Sequence, residues 1–300
     1  MRAIAALWLL LRAPGALAHD VPTLRTAPLW QAWSGEPWLW LLWGLPGLLI
    51  LTGYLRLWRH AGGVAGLGRG RAASFLSGFL VLGLAILSPL DALGEDLFWV
   101  HMVQHEVLLL VAAPLLVLSR PLGALVWALP AGWRQGAATL AQRLGLAAAM
   151  RWMTRPFTAW WIHAAVLWGW HVPALFEAAV TVRWVHDLQH FSFLVGALAF
   201  WWALLEARGG TQRQATAVLY LFTTLLHTSA LGALLTFSQR AWYEPYVATA
   251  PHWGLDALED QQLGGLIMWV PGGTVFLVAA LASCAAWLRA TPQPLPGLRD

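Results

Sequence analysis

The amino-acid sequence predicts an all-α membrane protein: a bundle of about seven transmembrane helices with its N-terminus outside and its C-terminus in the cytoplasm. Three observations carry that reading. Of 300 residues, 59% are hydrophobic and only 11% are charged, an apolar excess that no single soluble core can enclose. Many of the 22 tryptophans, including Trp38, Trp40, Trp99, Trp160, Trp161, Trp184 and Trp287, stand at the edges of apolar runs, as in the aromatic belts of membrane interfaces. The arginines collect in alternate connecting segments, which sets orientation.

The elements follow in order. Arg2, the apolar stretch Ala3 to Leu11 and the small residues Ala16, Leu17 and Ala18 read as a signal peptide over residues 1–18. Cleavage there makes His19 the mature terminus, whose amine and imidazole together can chelate a metal. Residues 19–37 then form a periplasmic segment. Apolar windows of about 20 residues place spans near 38–58, 73–90, 97–118, 157–180, 184–205, 215–237 and 263–288, so that the transmembrane domain occupies 38–288. Between the third and fourth spans, residues 119–155 carry Arg120, Arg134, Arg143, Arg151 and Arg155 among Ala and Leu. That stretch is too basic to cross and reads as amphipathic helix at the cytoplasmic interface. Residues 289–300 are a cytoplasmic tail.

Short arginine-rich loops stay in the cytoplasm. With the N-terminus outside, the cytoplasmic segments hold Arg56, Arg59, Arg69, Arg71, the five above, Arg208, Arg213, Arg289 and Arg299. The outer segments keep Arg25, Arg183 and Arg240, and collect Asp91, Glu95, Asp96, Glu244, Asp256, Glu259 and Asp260. The address is the bacterial inner membrane.

Composition also removes function classes. Net charge is +4 and pI about 10.0, yet no lysine is present and the arginines are scattered, so no nucleic-acid groove is implied. A single cysteine, Cys284, excludes an internal disulfide, a Cys zinc finger and a Cys-x-x-Cys redox site. Any metal must be held by His, Met or carboxylate. No nucleophile stands beside a base and no phosphate-binding glycine loop is present, so catalysis is not expected.

Ionisable residues inside spans are costly in hydrocarbon and call for a partner or a purpose. Here they are mostly histidines. The third span opens with His101-Met102-Val103-Gln104-His105 and the fifth with His186-Asp187-Leu188-Gln189-His190, the same His-x-x-Gln-His pattern on two helices of the same orientation. Residues four apart share a helix face, with Cβ atoms about 5–6 Å apart, so each pair is half of a candidate metal site. Hydrogen-bonded packing histidines give the same spacing. At about 1.5 Å rise per residue, His105 and His190 both lie within roughly 12 Å of the outer boundary; His171 falls in the outer half and His227 near mid-span. Met102, Met268 and Asp260 complete the candidate ligand set, with Glu106 and Asp187 as further acceptors. His163 reads as packing, and His60 and His252 as solvated loop residues. In the last span, Gly264, Gly265, Pro271, Gly272 and Gly273 permit close helix packing or a broken helix lining a cavity.

These blocks, namely His101 to His105 with Pro114 and Arg120-Pro121, Trp170-His171-Val172-Pro173, His186 to His190, and Asp260 through Gly273, resemble the CtaG-type cytochrome c oxidase assembly factors of bacterial membranes. The resemblance extends from the third span to the seventh. It implies maturation of a haem-copper oxidase by handling copper for its copper centre, with cytochrome c oxidase subunits as partners. An outer-face site also suits exchange with a periplasmic copper carrier. The residues themselves leave the ion open: imidazole and carboxylate suit Cu(II), Zn or Fe, whereas Cu(I) favours sulfur. Two other functions compete, a haem-binding electron-transfer protein and a metal transporter. Histidines four apart cannot ligate opposite faces of one haem, and polar residues are sparse in the cytoplasmic half.

Overall fold

The computed structural model describes residues 32–60, 69–206 and 211–289; the expected signal peptide, His19 and the tail beyond Arg289 lie outside them. Helix α1 (Pro37–His60) and α2 (Arg69–Leu87) lead into a short α3 (Pro89–Asp96). Ser88 caps α3 by accepting from the amide of Leu90 at 3.2 Å, and Pro89 takes the first position, where a missing amide costs nothing. An extended residue, Leu97, then turns the chain into α4 (Phe98–Ser119), whose turn Val107–Ala112 is π-helical. Arg120 ends α4 at a positive φ of 53°, and Pro121 begins the next helix.

The basic connector folds as three short helices, α5 (Pro121–Ala128), α6 (Ala131–Arg143) and α7 (Leu146–Met153). No residue of α6 or α7 is buried, consistent with a surface-lying segment. The expected fourth span is divided. Helix α8 (Pro156–Trp170) stops at His171, because Pro173 has no amide to give and holds Val172 extended; α9 (Pro173–Thr181) follows. At 15 residues, α8 covers about 22 Å, less than a full crossing.

Helices α10 (Arg183–Leu205) and α11 (Thr211–Thr236) precede a loop bearing α12 (Glu244–Thr249). The last helix, α13 (Ala257–Arg289), opens with a capping box between Asp256 and Glu259 and contains a second π segment, Met268–Gly272, at Pro271. Among the described residues, six helices are long and apolar enough to cross a membrane: α1, α2, α4, α10, α11 and α13. With the broken α8–α9 pair they make the all-α bundle, a multi-pass membrane protein. Helices α11 and α13 pack tightly: a Cβ at Gly265 would stand 2.7 Å from Thr236 N and 2.8 Å from Gly232 O, so any larger residue forces the pair apart. The main core is aromatic, built from Phe98, Phe176, Phe193, Phe200, Trp201 and Tyr243.

Candidate metal centre

The two His-x-x-Gln-His segments fall on the first turns of α4 and α10, at the same end of the bundle, and their helical period turns both histidines of each pair inward. Within pairs, ring centroids are 4.3 Å apart for His101 and His105 and 4.2 Å for His186 and His190. Between helices they are 5.6 Å for His101–His186, 6.1 Å for His101–His190 and 5.2 Å for His105–His190. One ring nitrogen each from His101, His186 and His190 lies within 4.8 Å of the others. A shared tetrahedral ion at about 2.0–2.1 Å from each nitrogen needs N···N separations of about 3.4 Å.

All four rings are buried, with exposures of 1% to 8%. Both nitrogens of His105 and Nε2 of His190 have no hydrogen-bond partner. Leaving a buried polar group unpaired costs about 1–3 kcal/mol, so the unpartnered nitrogens of His105 and His190 in a membrane bundle point to a ligand. Phe193 lies against His105 at 4.5 Å and Phe176 against His101 at 5.2 Å. These rings shield the cluster.

A polar frame that no spacing in the sequence announces sits above the rings. Gln104 Nε2 donates to Ala85 O and to Asp91 Oδ1, each at 2.7 Å. Asp91 Oδ2 faces Arg183 Nη1 at 3.2 Å, and Arg183 Nε faces Asp187 Oδ1 at 3.3 Å. Asp91 on α3 thereby joins the first turn of α4 to that of α10. Glu95 approaches the same guanidinium at 3.8 Å. Gly94 lets α3 close over the site, since a Cβ there would stand 3.4 Å from His101 Nδ1. Burial, with Asp91 and Asp96 alongside, pushes the Glu95 carboxyl up to about 7, although Arg183 opposes the shift.

The remaining candidates are placed differently. His171, at the α8 break, binds Leu167 O through Nδ1 at 2.7 Å, keeps a buried, unpartnered Nε2, and has Phe176 6.1 Å away. His227 stands beside His163 at 5.7 Å and Trp160 at 5.2 Å, and accepts from Trp168 Nε1 at 3.4 Å; among the described residues those are its ring neighbours. Met102 is fully buried against Gly264, and Met268 belongs to the apolar core. Asp260 caps α4: its oxygens accept from the amides of Phe98 at 2.8 Å and Trp99 at 2.9 Å. Glu106 is buried against Gly272, with Oε2 unpartnered. The structure thus brings together His101, His105, His186 and His190, with His171 near enough to interact electrostatically with His101 and His105 and no sulfur among them.

A scan against family models matches residues 48–290 to the cytochrome c oxidase caa3 assembly factor family. The chain belongs to that family. Among curated proteins it is similar to uncharacterized proteins of Mycobacterium bovis and Mycobacterium tuberculosis, each 27% identical over 259 residues, or 82% of this chain. The chain spans 38% of the length of those relatives. No solved structure matches. The region matched to the caa3 assembly factors contains both histidine pairs, the α8 break and the Asp260 cap. The cluster's imidazole nitrogens fit a borderline transition metal: imidazole suits Cu, Zn, Fe and Ni alike.

Proposed function

We propose that this assembly factor holds a copper ion in the pocket formed by His101, His105, His186 and His190 and presents it for insertion into the oxidase copper centre. The observation that supports it is the convergence of four buried imidazole rings from α4 and α10, with His105 and Nε2 of His190 lacking any hydrogen-bond partner. Imidazole nitrogens of His101, His186 and His190 lie within 4.8 Å of one another, with the His105 ring 5.2 Å from that of His190, a grouping that favours a single shared ion. Asp91 and Asp187 at the mouth give it a carboxylate surplus over Arg183, a field that draws cations inward. The arginine distribution supports an inner-membrane protein with this end facing the periplasm, where a copper carrier can deliver and oxidase subunits can receive. Presentation requires no bond chemistry on a substrate, in keeping with a protein that is not an enzyme.

Metal analysis of detergent-purified protein, loaded with copper and desalted, tests the reading. The expected result is copper retained by the wild type and lost from a His101→Ala, His186→Ala double variant that inserts normally. Equal retention by both removes the cluster as the site. A strong Soret band in the purified wild type would instead assign the histidines to haem.

A further inference from the structure

From the aqueous end the four rings are covered. Tyr246 Oη donates to Gly94 O at 2.9 Å, Tyr243 stacks on Phe176 with centroids 4.2 Å apart, and Arg183 bridges Asp91 and Asp187 across the mouth. From the flank one of them, His190, is reached. A cavity of about 350 Å³ lies between α1, α2 and α10 and reaches His190, the most exposed of the four rings. Trp43, Phe79, Leu82 and Leu194 belong to its apolar wall, while Asp91, Arg183, Asp187 and His190 supply its polar groups.

We propose that this cavity binds an amphiphile of the isoprenoid quinone class, its oxygenated ring toward His190 and its hydrocarbon tail toward the lipid. The volume falls at the lower end of the range of about 300–1,000 Å³ for small-molecule sites, and an apolar wall with a few polar groups is the usual composition of such a site. One side of the wall is a rigid aromatic pair: Trp43 and Phe79 stack on each other at 4.5 Å with an interplanar angle of 11°, and Trp43 Nε1 is fixed by donating to Phe79 O at 3.0 Å. Two carboxylates face the single guanidinium, with Glu95 behind. That balance disfavours an anionic phosphate headgroup and suits a neutral one. A quinone carbonyl accepts from an imidazole N–H, and a quinol hydroxyl donates to an imidazole nitrogen or to a carboxylate. Leu41, Leu42, Leu45 and Leu48 on α1 and Leu80 and Leu84 on α2 are exposed, so the ligand arrives through the bilayer.

The inference shares His190 with the proposed metal pocket, and its test leaves the histidines intact so that the two readings fail separately. Protein in phosphatidylcholine nanodiscs is titrated with decylubiquinone, and the quinone retained per chain after gel filtration is measured. Saturable binding is expected, with decylbenzene, which lacks the ring oxygens, a poor competitor. Leu82→Trp and Leu194→Trp, which fill the cavity from opposite walls, should each weaken binding about tenfold, a loss of about 1.4 kcal/mol, while inserting normally and keeping wild-type metal retention. Two variants guard against misfolding of either one. Unchanged binding in both, equal competition by decylbenzene, or retention of phospholipid but no quinone overturns the proposal.

Discussion

Asp260 accepts the backbone amide of Phe98 at 2.8 Å across 162 residues of sequence. Leu97, at the N-cap position of α4, offers no side-chain cap of its own, so a carboxylate from the last helix satisfies the first amides of the helix that carries His101 and His105. Removing it leaves two amides unpaired at a helix start. Asp260→Ala should therefore cost about 1–3 kcal/mol and loosen metal retention. Asp260→Asn, which keeps one acceptor, should lie between. Thermal unfolding in detergent reads the order of the three proteins, and a wild-type midpoint for the alanine variant would refute the capping role.

The strongest distinction between ligation and packing lies in His105 and His190, whose rings are 5.2 Å apart on different helices. If they share one ion, His105→Ala and His190→Ala each abolish most copper retention and the double variant loses little more, because contacts acting as a unit are non-additive. All three should leave an oxidase that is haem-replete and copper-deficient. Additive losses of stability with full oxidase copper in the double variant would return both rings to packing.

Glu95 makes stability depend on pH in a stated direction. Its carboxyl is raised to about 7 by burial and by Asp91 and Asp96, and Arg183 is already held by Asp91 and Asp187. In an unfolded chain the group ionises near its ordinary 4.5. Between those two values the unfolded state has given up the proton that the folded state keeps, so stability falls as pH rises from about 4.5 to about 7 and then levels off. Glu95→Gln should flatten that slope. Denaturant unfolding at a series of pH values measures it, and an unaltered slope in the variant would assign the dependence to another group.

Sidedness is tested by reporter fusions. Fusions after Gly66 and Gly210 should behave as cytoplasmic, and one after Thr249 as periplasmic. The inverse pattern would place the metal pocket at the opposite face and remove the periplasmic carrier from the scheme.

The bundle and the histidine pairs were legible because both depend on local periodicity: spans on runs of apolar residues, pairs on a spacing of four that puts two rings on one helix face. What the sequence hid depends on the rotation of one helix against another. His227 has the depth to approach the cluster, yet α11 turns it toward His163 and Trp160. Asp260 reads as an available ligand, but the amides that engage it are 161 and 162 positions away. Asp91 looks like a loop acid until Gln104 and Arg183 close on it. The divided fourth span is an intermediate case. Pro173 is plain in the sequence, but the length of the apolar run around it masks its consequence, a helix that ends at His171.

The π segments at Val107–Ala112 in α4 and Met268–Gly272 in α13 have a consequence for how this protein can change over generations. A π turn accommodates one surplus residue without opening a loop, so the parts of a helix on either side of it keep separate phases. Above the joint, α4 aims His101 and His105 at the pocket; below it, Leu116 and Val117 keep their burial. Lineages can therefore reshape the donor-bearing turns by substitution, or redirect them by a one-residue deletion, while the lower half stays in register. A single-residue indel, which in an uninterrupted helix would scramble every contact downstream, becomes in these two helices an available step in evolution.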